Sequence, residues 1–182
     1  MKFADHEKTA KEYKIGGKGF WTPEPGENKL RVLSGYEAYG NHWVVADNRS
    51  YVCLGKDNGC VYCENEKDKD CKTSRRSVKF LMWVLDRADG EVKIAQVGYS
   101  IIKQLGTLAT SEDWAFDDIP PYDVVIKKTG EKLKTEYNVT PTKAEKPLTA
   151  DEQKVVDEEI TDLSEVIEKM KTKVANPDET PF

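Results

Sequence analysis

The sequence predicts a mainly β fold: five strands, one helix between the third and fourth strands, and a separate C-terminal helix. Short runs of alternating apolar and polar residues recur between turn signals, which is typical of strands. One stretch after the third run changes to helical spacing. Beyond residue 147, apolar residues recur with the spacing of a heptad repeat.

Composition indicates one folded domain with solvated extensions. The 182 residues are 38% hydrophobic and 34% charged, so the core is modest for this length. Residues 143–182 contain six lysines and eleven acidic residues, and this excess accounts for the whole formal charge of −5. The neutral remainder can still present a basic surface to nucleic acid.

We expect a cytoplasmic protein that contacts no membrane. No apolar run approaches the length of a membrane span, about 18–20 residues. The N-terminal residues also lack the apolar segment of a secretory signal. We expect four segments: a flexible N-terminal arm at 1–19, a β domain at 20–146, a C-terminal helix at 147–175 and an acidic tail at 176–182.

The first three strands follow from alternation. Residues 28–36 alternate apolar and polar side chains, and two β-rich runs flank Asp47-Asn48, a pair that suits a two-residue hairpin turn. Residues 76–87 form the strongest strand, with apolar side chains on both faces. Asp89-Gly90 is a turn signal that leads into a third strand at 91–98.

The remaining core elements complete a recognisable order. Residues 99–109 have helical spacing, and two further runs within 122–141 form a second hairpin around a Thr-Gly-Glu turn. Five strands with one helix between the third and fourth are the arrangement of the OB-fold, a small Greek-key barrel. An ordinary α+β sandwich fits the same order of elements.

The C-terminal segment predicts one helix. Thr149 can cap it, and Glu152 can complete a capping box. The heptad stripe either packs on the domain or forms a coiled coil with a partner. It comprises Val156, Ile160, Leu163, Ile167, Met170 and Val174.

All four cysteines lie between Cys53 and Cys71, in a segment rich in Gly, Asn and Lys. We expect this segment to belong to a small metal-binding subdomain at 41–72. This segment is too polar to fold by apolar burial alone, and clustered thiols in a cytoplasmic protein indicate metal ligation. Cys60-x2-Cys63 has ligand-pair spacing, and Cys53 is a third candidate ligand. Such donors favour Zn²⁺ as a structural cofactor. Four reduced cysteines without a metal are the alternative.

The fourth ligand is either His42 or Cys71. If residues 47–48 form a two-residue turn, counting outward along both strands places His42 opposite Cys53. Directly opposed residues have Cβ atoms about 4.5–5.5 Å apart, so the hairpin favours His42. A closed set of four ligands leaves no open position for catalysis, and we expect neither enzymatic activity nor a small-molecule substrate.

Basic and aromatic residues interleave along the predicted hairpins. Cations can follow the phosphates of a single strand while aromatic faces stack its bases, largely independently of sequence. Taken singly, each of these aromatics is more often a core residue than a stacking platform. The candidate DNA-binding residues are Arg31, Trp43, Tyr51, Arg75, Arg76, Lys79, Trp83, Arg87, Lys93, Tyr99, Lys127, Lys128, Lys132, Lys134 and Tyr137.

Three stretches together resemble the single-stranded DNA-binding proteins of tailed phages. These are GENKLRVL at 26–33, the series His42, Cys53 and Cys-Val-Tyr-Cys, and the long run from Lys79 that continues into the 122–141 hairpin. The likeness covers about residues 20–150. It implies an OB-fold, a zinc subdomain beside the DNA cleft, and a role in replication, recombination and repair. It also implies the zinc ligands His42, Cys53, Cys60 and Cys63, with Cys71 extra.

The chain terminus is similar to the acidic tip, ending in Pro-Phe, of bacterial single-stranded DNA-binding proteins. The residues concerned are Asp178, Glu179, Pro181 and Phe182. The likeness implies that a terminal Phe and its carboxylate dock into replication or recombination proteins. One apolar anchor with flanking negative charge on a tether suits that use.

The sequence therefore predicts a non-catalytic single-strand binder, located in the host cytoplasm if it is encoded by a phage. One rival is a zinc-dependent protein-interaction or transcription-regulatory module that acts through the heptad helix. Another is an RNA-binding protein, because stacking does not distinguish the two sugars whereas a contact to the 2′-OH would.

Overall fold

The computed structural model describes residues 20–44, 49–64, 77–145 and 147–175. The predicted N-terminal arm, the turn at 47–48, Cys71 and the acidic tail lie outside these residues. Within the described ranges, none of the helices combines the length and apolar character needed to cross a membrane.

The described chain contains six strands and four α-helices. The strands are β1 Gly26–Val44, β2 Arg49–Val52, β3 Ser77–Asp86, β4 Val92–Val97, β5 Tyr122–Thr129 and β6 Glu136–Glu145. The helices are α1 Val61–Glu64, α2 Tyr99–Ala109, α3 Ala150–Glu159 and α4 Leu163–Ala175. The predicted mainly β class is confirmed, and α2 has the expected bounds.

The strands form one antiparallel sheet in the order β4-β3-β1-β5-β6, and the short β2 pairs with the far end of β1. The predicted closed barrel is not seen, since no ladder joins β4 to β6 among the described residues. The outer edge of β4 is already occupied: Trp21 accepts from the backbone N–H of Gln96 and donates to the carbonyl of Ile94. This bridge takes the hydrogen bonds that closure would need.

The first strand is much longer than the predicted 28–36. A bulge between Val32 and Tyr36 gives β1 two residues more than β3 over the same stretch. The hydroxyl of Ser34 accepts the backbone N–H of Trp83 at 2.9 Å, which satisfies a donor that the bulge would otherwise leave unpaired. The chain therefore continues past Gly35, and its second half becomes one arm of the β1–β2 hairpin.

The second predicted hairpin differs at its turn. Residues Lys132–Lys134 form a single 3-10 turn, so β6 begins at Glu136 rather than at Lys132. Gly130 has φ of 73°, a conformation that suits glycine at a turn. The turn places the exposed side chains of Lys132 and Lys134 at the end of the sheet where β1 begins.

Strand β3 has apolar side chains on both faces, as predicted, and each face supports a separate core. One face packs with α2, whose Ile101, Ile102 and Leu105 are buried. The side-chain amide of Gln104 fixes α2 to β6, because it donates to the carbonyl of Tyr137 and accepts the N–H of Val139. The other face packs against the C-terminal helices.

The prediction of one C-terminal helix at 147–175 is wrong. The chain forms α3 and α4 with a break at 160–162. The indole N–H of Trp83 donates to the carbonyl of Thr161 at 2.8 Å, and the carboxylate of Asp162 accepts the N–H of Ser164 at the start of α4. The stripe residues Val156, Leu163 and Ile167 are buried in the core beneath both helices, so these residues pack on the domain.

The predicted capping box at Thr149 is confirmed. The Thr149 hydroxyl accepts the N–H of Glu152, and the Glu152 carboxylate accepts the N–H of Thr149 at 2.9 Å. We expect Thr149→Ala to lower the free energy of unfolding by about 1 kcal/mol. Urea unfolding checks this, with Thr149→Ser as the control that retains the cap. Equal midpoints for the Ala and Ser variants would contradict it.

Candidate functional site

Four potential metal ligands converge at the end of the β1–β2 hairpin. His42 lies on β1, Cys53 follows β2, and Cys60 and Cys63 flank the start of α1. Their ligand atoms all lie within 4.8 Å of one another. Cys63 Sγ is 3.3 Å from Cys53 Sγ and 3.4 Å from His42 Nε2. These are the four ligands that the sequence favoured, and they can hold a metal ion.

The hairpin brings His42 and Cys53 together in a register that the sequence did not predict. His42 lies opposite Tyr51 rather than opposite Cys53. The backbone N–H of Cys53 donates to the carbonyl of Gly40 at 2.8 Å, which continues the ladder past β2. The predicted register was wrong by two residues, and a shift of two keeps every side chain on its face. Cys53 therefore still approaches His42, although from a diagonal position.

Two glycines shape the loop that carries the cysteines. Gly55 and Gly59 have φ of 92° and 69°, conformations that other residues rarely adopt. Cys60 donates its backbone N–H to the carbonyl of Gly55, and Cys63 donates to the carbonyl of Cys60. The backbone N–H of Gly55 also points at Cys53 Sγ at 3.4 Å. The turns thereby aim three sulfur atoms at one point.

The electrostatics of the cluster favour a bound cation. His42 is 0% exposed, and Cys53 and Cys60 are buried. Burial, together with the neighbouring thiols of Cys53 and Cys60, raises the pKa of Cys63 to about 12. Burial opposes ionisation of Cys60 as well, but backbone N–H groups, chiefly that of Cys63, place its pKa below the usual value. Several thiolates can coexist here only if positive charge lies between them.

The donor set fits a tetrahedral ion. Sulfur ligands about 2.3 Å from a tetrahedral metal lie about 3.8 Å apart, which falls within the separations of 3.3 Å to 4.8 Å found here. Three sulfurs and one imidazole nitrogen suit a borderline-soft divalent cation. Cys71 lies outside the described residues, and the four described ligands complete the set without it.

Two stacked aromatic rings, Tyr51 and Tyr62, form a column beside the candidate metal ligands. Tyr51 was a candidate from the sequence, and Tyr62 was not. The rings of Tyr51 and Tyr62 stack with centroids 4.9 Å apart, and Tyr62 also contacts the ring of His42 at 5.8 Å. The Arg49 guanidinium lies 5.7 Å from the centre of the Tyr51 ring, within cation–π range. Tyr62 lies within the Cys-Val-Tyr-Cys motif, in which only the two cysteines were predicted to be functional.

Two predicted DNA contacts are buried in an ion-pair network. Asp123 is 1% exposed, and its carboxylate accepts from Arg31 Nε at 3.1 Å and from Arg87 at 3.0 Å. Arg87 also pairs with Glu152 on α3, and Lys29 Nζ lies 3.7 Å from the same Asp123 carboxylate. Arg87 thus connects the sheet to the C-terminal helices, whereas Arg31 pairs with Asp123 within the sheet, and both charges are directed into the protein.

Four further candidates face inward or bind the protein itself. Trp83 is 8% exposed beneath the C-terminal helices, and Tyr137 packs against the core on the α2 side. Lys93 pairs with Asp86 and Asp89 at the β3–β4 turn. Lys128 donates to the carbonyl of Pro23 at 3.0 Å. Trp83 was one of the candidate stacking residues, but its burial leaves little of its ring accessible to a base.

The remaining described candidates do not form a single cluster. Trp43 and the half-buried Tyr51 lie at the hairpin end of β1. Exposed Lys127, Lys132 and Lys134 lie at the opposite end, where β5 pairs with the start of β1. The half-buried Lys79 lies on β3, directly opposite Tyr39 of β1. Tyr99 is exposed at the start of α2. Arg75 and Arg76 lie outside the described residues.

A second group of aromatic rings was only partly selected from the sequence, because Tyr99 was a candidate whereas Tyr36 and Phe80 were not. Tyr36 meets Phe80 edge-to-face with centroids 5.5 Å apart, and Phe80 lies 6.3 Å from Tyr99. Tyr36 and Tyr99 are 55% and 65% exposed, although large aromatics more often lie in cores. Alternation along 28–36 placed Tyr36 on a strand, but the bulge that keeps it at the surface has no evident signal.

Together, these observations define a mainly β protein with an open six-stranded sheet and a Cys/His cluster that can hold a metal ion. Comparison of the chain with protein-family models, with curated proteins and with solved structures finds no match in any of the three.

Proposed function

We propose that the protein binds single-stranded DNA largely independently of sequence, without catalysis, and that this serves replication, recombination and repair of phage DNA. The observation that carries the proposal is the strand pairing. If the short β2 is left out, five long strands remain: β1, β3, β4, β5 and β6. Strand β1 pairs with β3 and β5, β3 also pairs with β4, and β5 also pairs with β6. With α2 between the third and fourth of these strands, this order supports a partly open OB-fold.

The positions of the loops also support this function. OB-folds bind oligonucleotides through the face of their second and third strands and through the loops between strands one and two and between strands four and five. In this chain the connection between β1 and β3 carries the candidate metal ligands and the aromatic column. The loop between β5 and β6 carries the exposed Lys132 and Lys134. Rings at one loop and cations at the other are the ingredients that a single strand requires.

In this proposal the metal is Zn²⁺ and its role is structural. A Cys₃His set of four ligands is a common structural zinc site and leaves no open coordination position. The ion would hold His42 of β1 against Cys60 and Cys63, and so fix the loop beside the DNA. The acidic tail, Asp178 to Phe182, would recruit replication or recombination proteins.

We expect strong binding to oligo(dT) and little binding to a matched duplex. The four tryptophans allow a fluorescence titration at two salt concentrations, with oligo(U) as a third ligand. Affinity should fall at high salt, because phosphate contacts release counterions with a slope of about −0.7 per contact on log–log axes for single strands.

Each titration outcome separates the rivals. Absence of any preference for single strands would discard the proposed function and favour a protein-interaction module. Five of the six stripe residues pack into the core and are withdrawn from that rival: Val156, Leu163 and Ile167 are buried, and Ile160 and Met170 are partly buried. Preference for oligo(U) over oligo(dT) would instead indicate an RNA-binding protein, because only the RNA sugar offers a 2′-OH.

A further inference from the structure

The two faces of the sheet differ at the β1–β3 end. Successive strand residues point to opposite faces, and directly paired residues share a face. Leu81 and Trp83 face the C-terminal helices. Phe80 and Met82 belong to the opposite face, in the core that contains α2. Tyr36 pairs with Met82, so its ring lies on this second face, away from the C-terminal helices.

The second face carries an aromatic strip, which we define as Tyr36, Phe80, Tyr99, Tyr51 and Tyr62. The first three rings contact one another in a row, and the last two stack beside the metal ligands. Both groups lie on one face. His42 follows Tyr36 by six residues along β1, an even number, and His42 is paired with Tyr51 on β2. That separation is about 20 Å at the rise of a β-strand.

The middle of the strip consists of small, apolar residues. Ala38 and Gly40 are the β1 residues between the two ring groups on this face, and the exposed Val78 pairs with Gly40. Small side chains between two sets of rings leave room for a ligand to lie against the sheet. The exposed rings of Tyr36 and Tyr99 present flat faces on which any base can stack.

Charge favours nucleic acid at the ends of the strip. Arg49 lies over Tyr51 at one end, and Lys103 is exposed one helical turn beyond Tyr99 at the other. A cavity of about 220 Å³ adjoins Tyr36, but Asp117 and Asp118 line it. Those carboxylates repel phosphates, so the strip itself rather than the cavity suits a nucleic-acid strand.

From these observations we propose that a single DNA strand lies along the aromatic strip, on the sheet face opposite the C-terminal helices, with its bases stacked on the exposed rings of Tyr36 and Tyr99. This inference rests on the proposed function and specifies its binding track. Arg49 and Lys103 would contact the flanking phosphates. Phe80, whose ring joins Tyr36 to Tyr99, would keep the outer two rings in place.

The test is fluorescence anisotropy with labelled oligo(dT) on the full chain. Tyr36→Ala and Tyr99→Ala should each weaken binding by about 5- to 150-fold, as expected for the loss of one stacked base. Tyr36→Phe and Tyr99→Phe retain the ring and should bind as the wild type does. The slope of affinity against salt should not change in any of the four, because no phosphate contact is lost.

Val155→Ala is the control, because Val155 is exposed on α3, on the other side of the sheet. Its affinity should equal that of the wild type, and unfolding midpoints should show that every variant is folded. If the wild type binds single strands and the Y36A/Y99A double variant binds equally well, the strip is overturned while the proposed function stands. If the wild type does not prefer single strands, both are overturned.

Discussion

Removal of the proposed zinc ion is expected to destabilise the protein more than any single surface substitution, by on the order of 5 kcal/mol or more. The segment from Cys53 to Glu64 contains one four-residue helix and a 3-10 turn, and little of it is apolar. Its buried side chains are those of two candidate metal ligands, Cys53 and Cys60. Without the ion, buried thiols face one another, so the segment has little else to hold it.

The change can be measured in two ways. Metal analysis of the purified protein should find one Zn²⁺ per chain, and thermal unfolding with and without a strong chelator should show a large fall in Tm. Cys60→Ser should reproduce the effect of the chelator, since it removes one ligand. Val61→Ser, at an exposed position next to it, should leave Tm within a few degrees of the wild type.

Two results would contradict this expectation. One is metal-free protein with the same Tm as the metal-loaded form, and the other is a Cys60→Ser variant as stable as Val61→Ser. Acid should act in the same direction as the chelator, because protons compete with the metal for thiolate and imidazole ligands.

The elements that the sequence predicted well are those whose pattern is local. Residues 99–109 show helical spacing, and the structure has a helix with those bounds. The alternation of β3 and the Asp89-Gly90 turn are also local, and both are found. The spacing of Cys60-x2-Cys63 is also local, since it needs only one tight turn, and both cysteines lie close enough to His42 and Cys53 to hold a metal ion.

The errors arose where distant contacts override local signals. Gly35 resembles a strand end, yet β1 continues because Ser34 accepts the backbone N–H of Trp83. The heptad stripe is uninterrupted by Gly or Pro, yet the helix breaks where Trp83 binds Thr161. One local signal for that break existed: Asp162 and Glu165 have the spacing of a capping box.

The inward position of Arg31 and Arg87 had a recognisable sequence signal. Asp123 interrupts an apolar run, Tyr-Asp-Val-Val-Ile, that forms the buried strand β5. A carboxylate on such a strand requires cationic partners inside the protein. The prediction that Arg31 and Arg87 are surface charges did not meet this requirement, and it overestimated the number of cations on the surface.

Asp123→Ala is expected to lower the free energy of unfolding by about 3–5 kcal/mol, because it leaves buried guanidinium groups without their counter-charge. The carboxylate is 1% exposed and binds both Arg31 and Arg87. Urea unfolding at pH 7 measures the loss. Asp118→Ala removes an exposed carboxylate from a nearby loop and should change stability by less than about 0.5 kcal/mol.

The effect should also depend on pH in one direction. Burial opposes ionisation of Asp123, but hydrogen bonds from Arg87 and Arg31 hold its pKa below the usual value. A carboxyl group with a depressed folded-state pKa contributes stability above its unfolded pKa, about 3.9, and loses that contribution as pH falls through the folded value. The stability gap between wild type and Asp123→Ala should therefore be widest at pH 7 and should narrow below about pH 4. A gap that stays constant down to pH 2 would show that the substitution acts through packing rather than through charge.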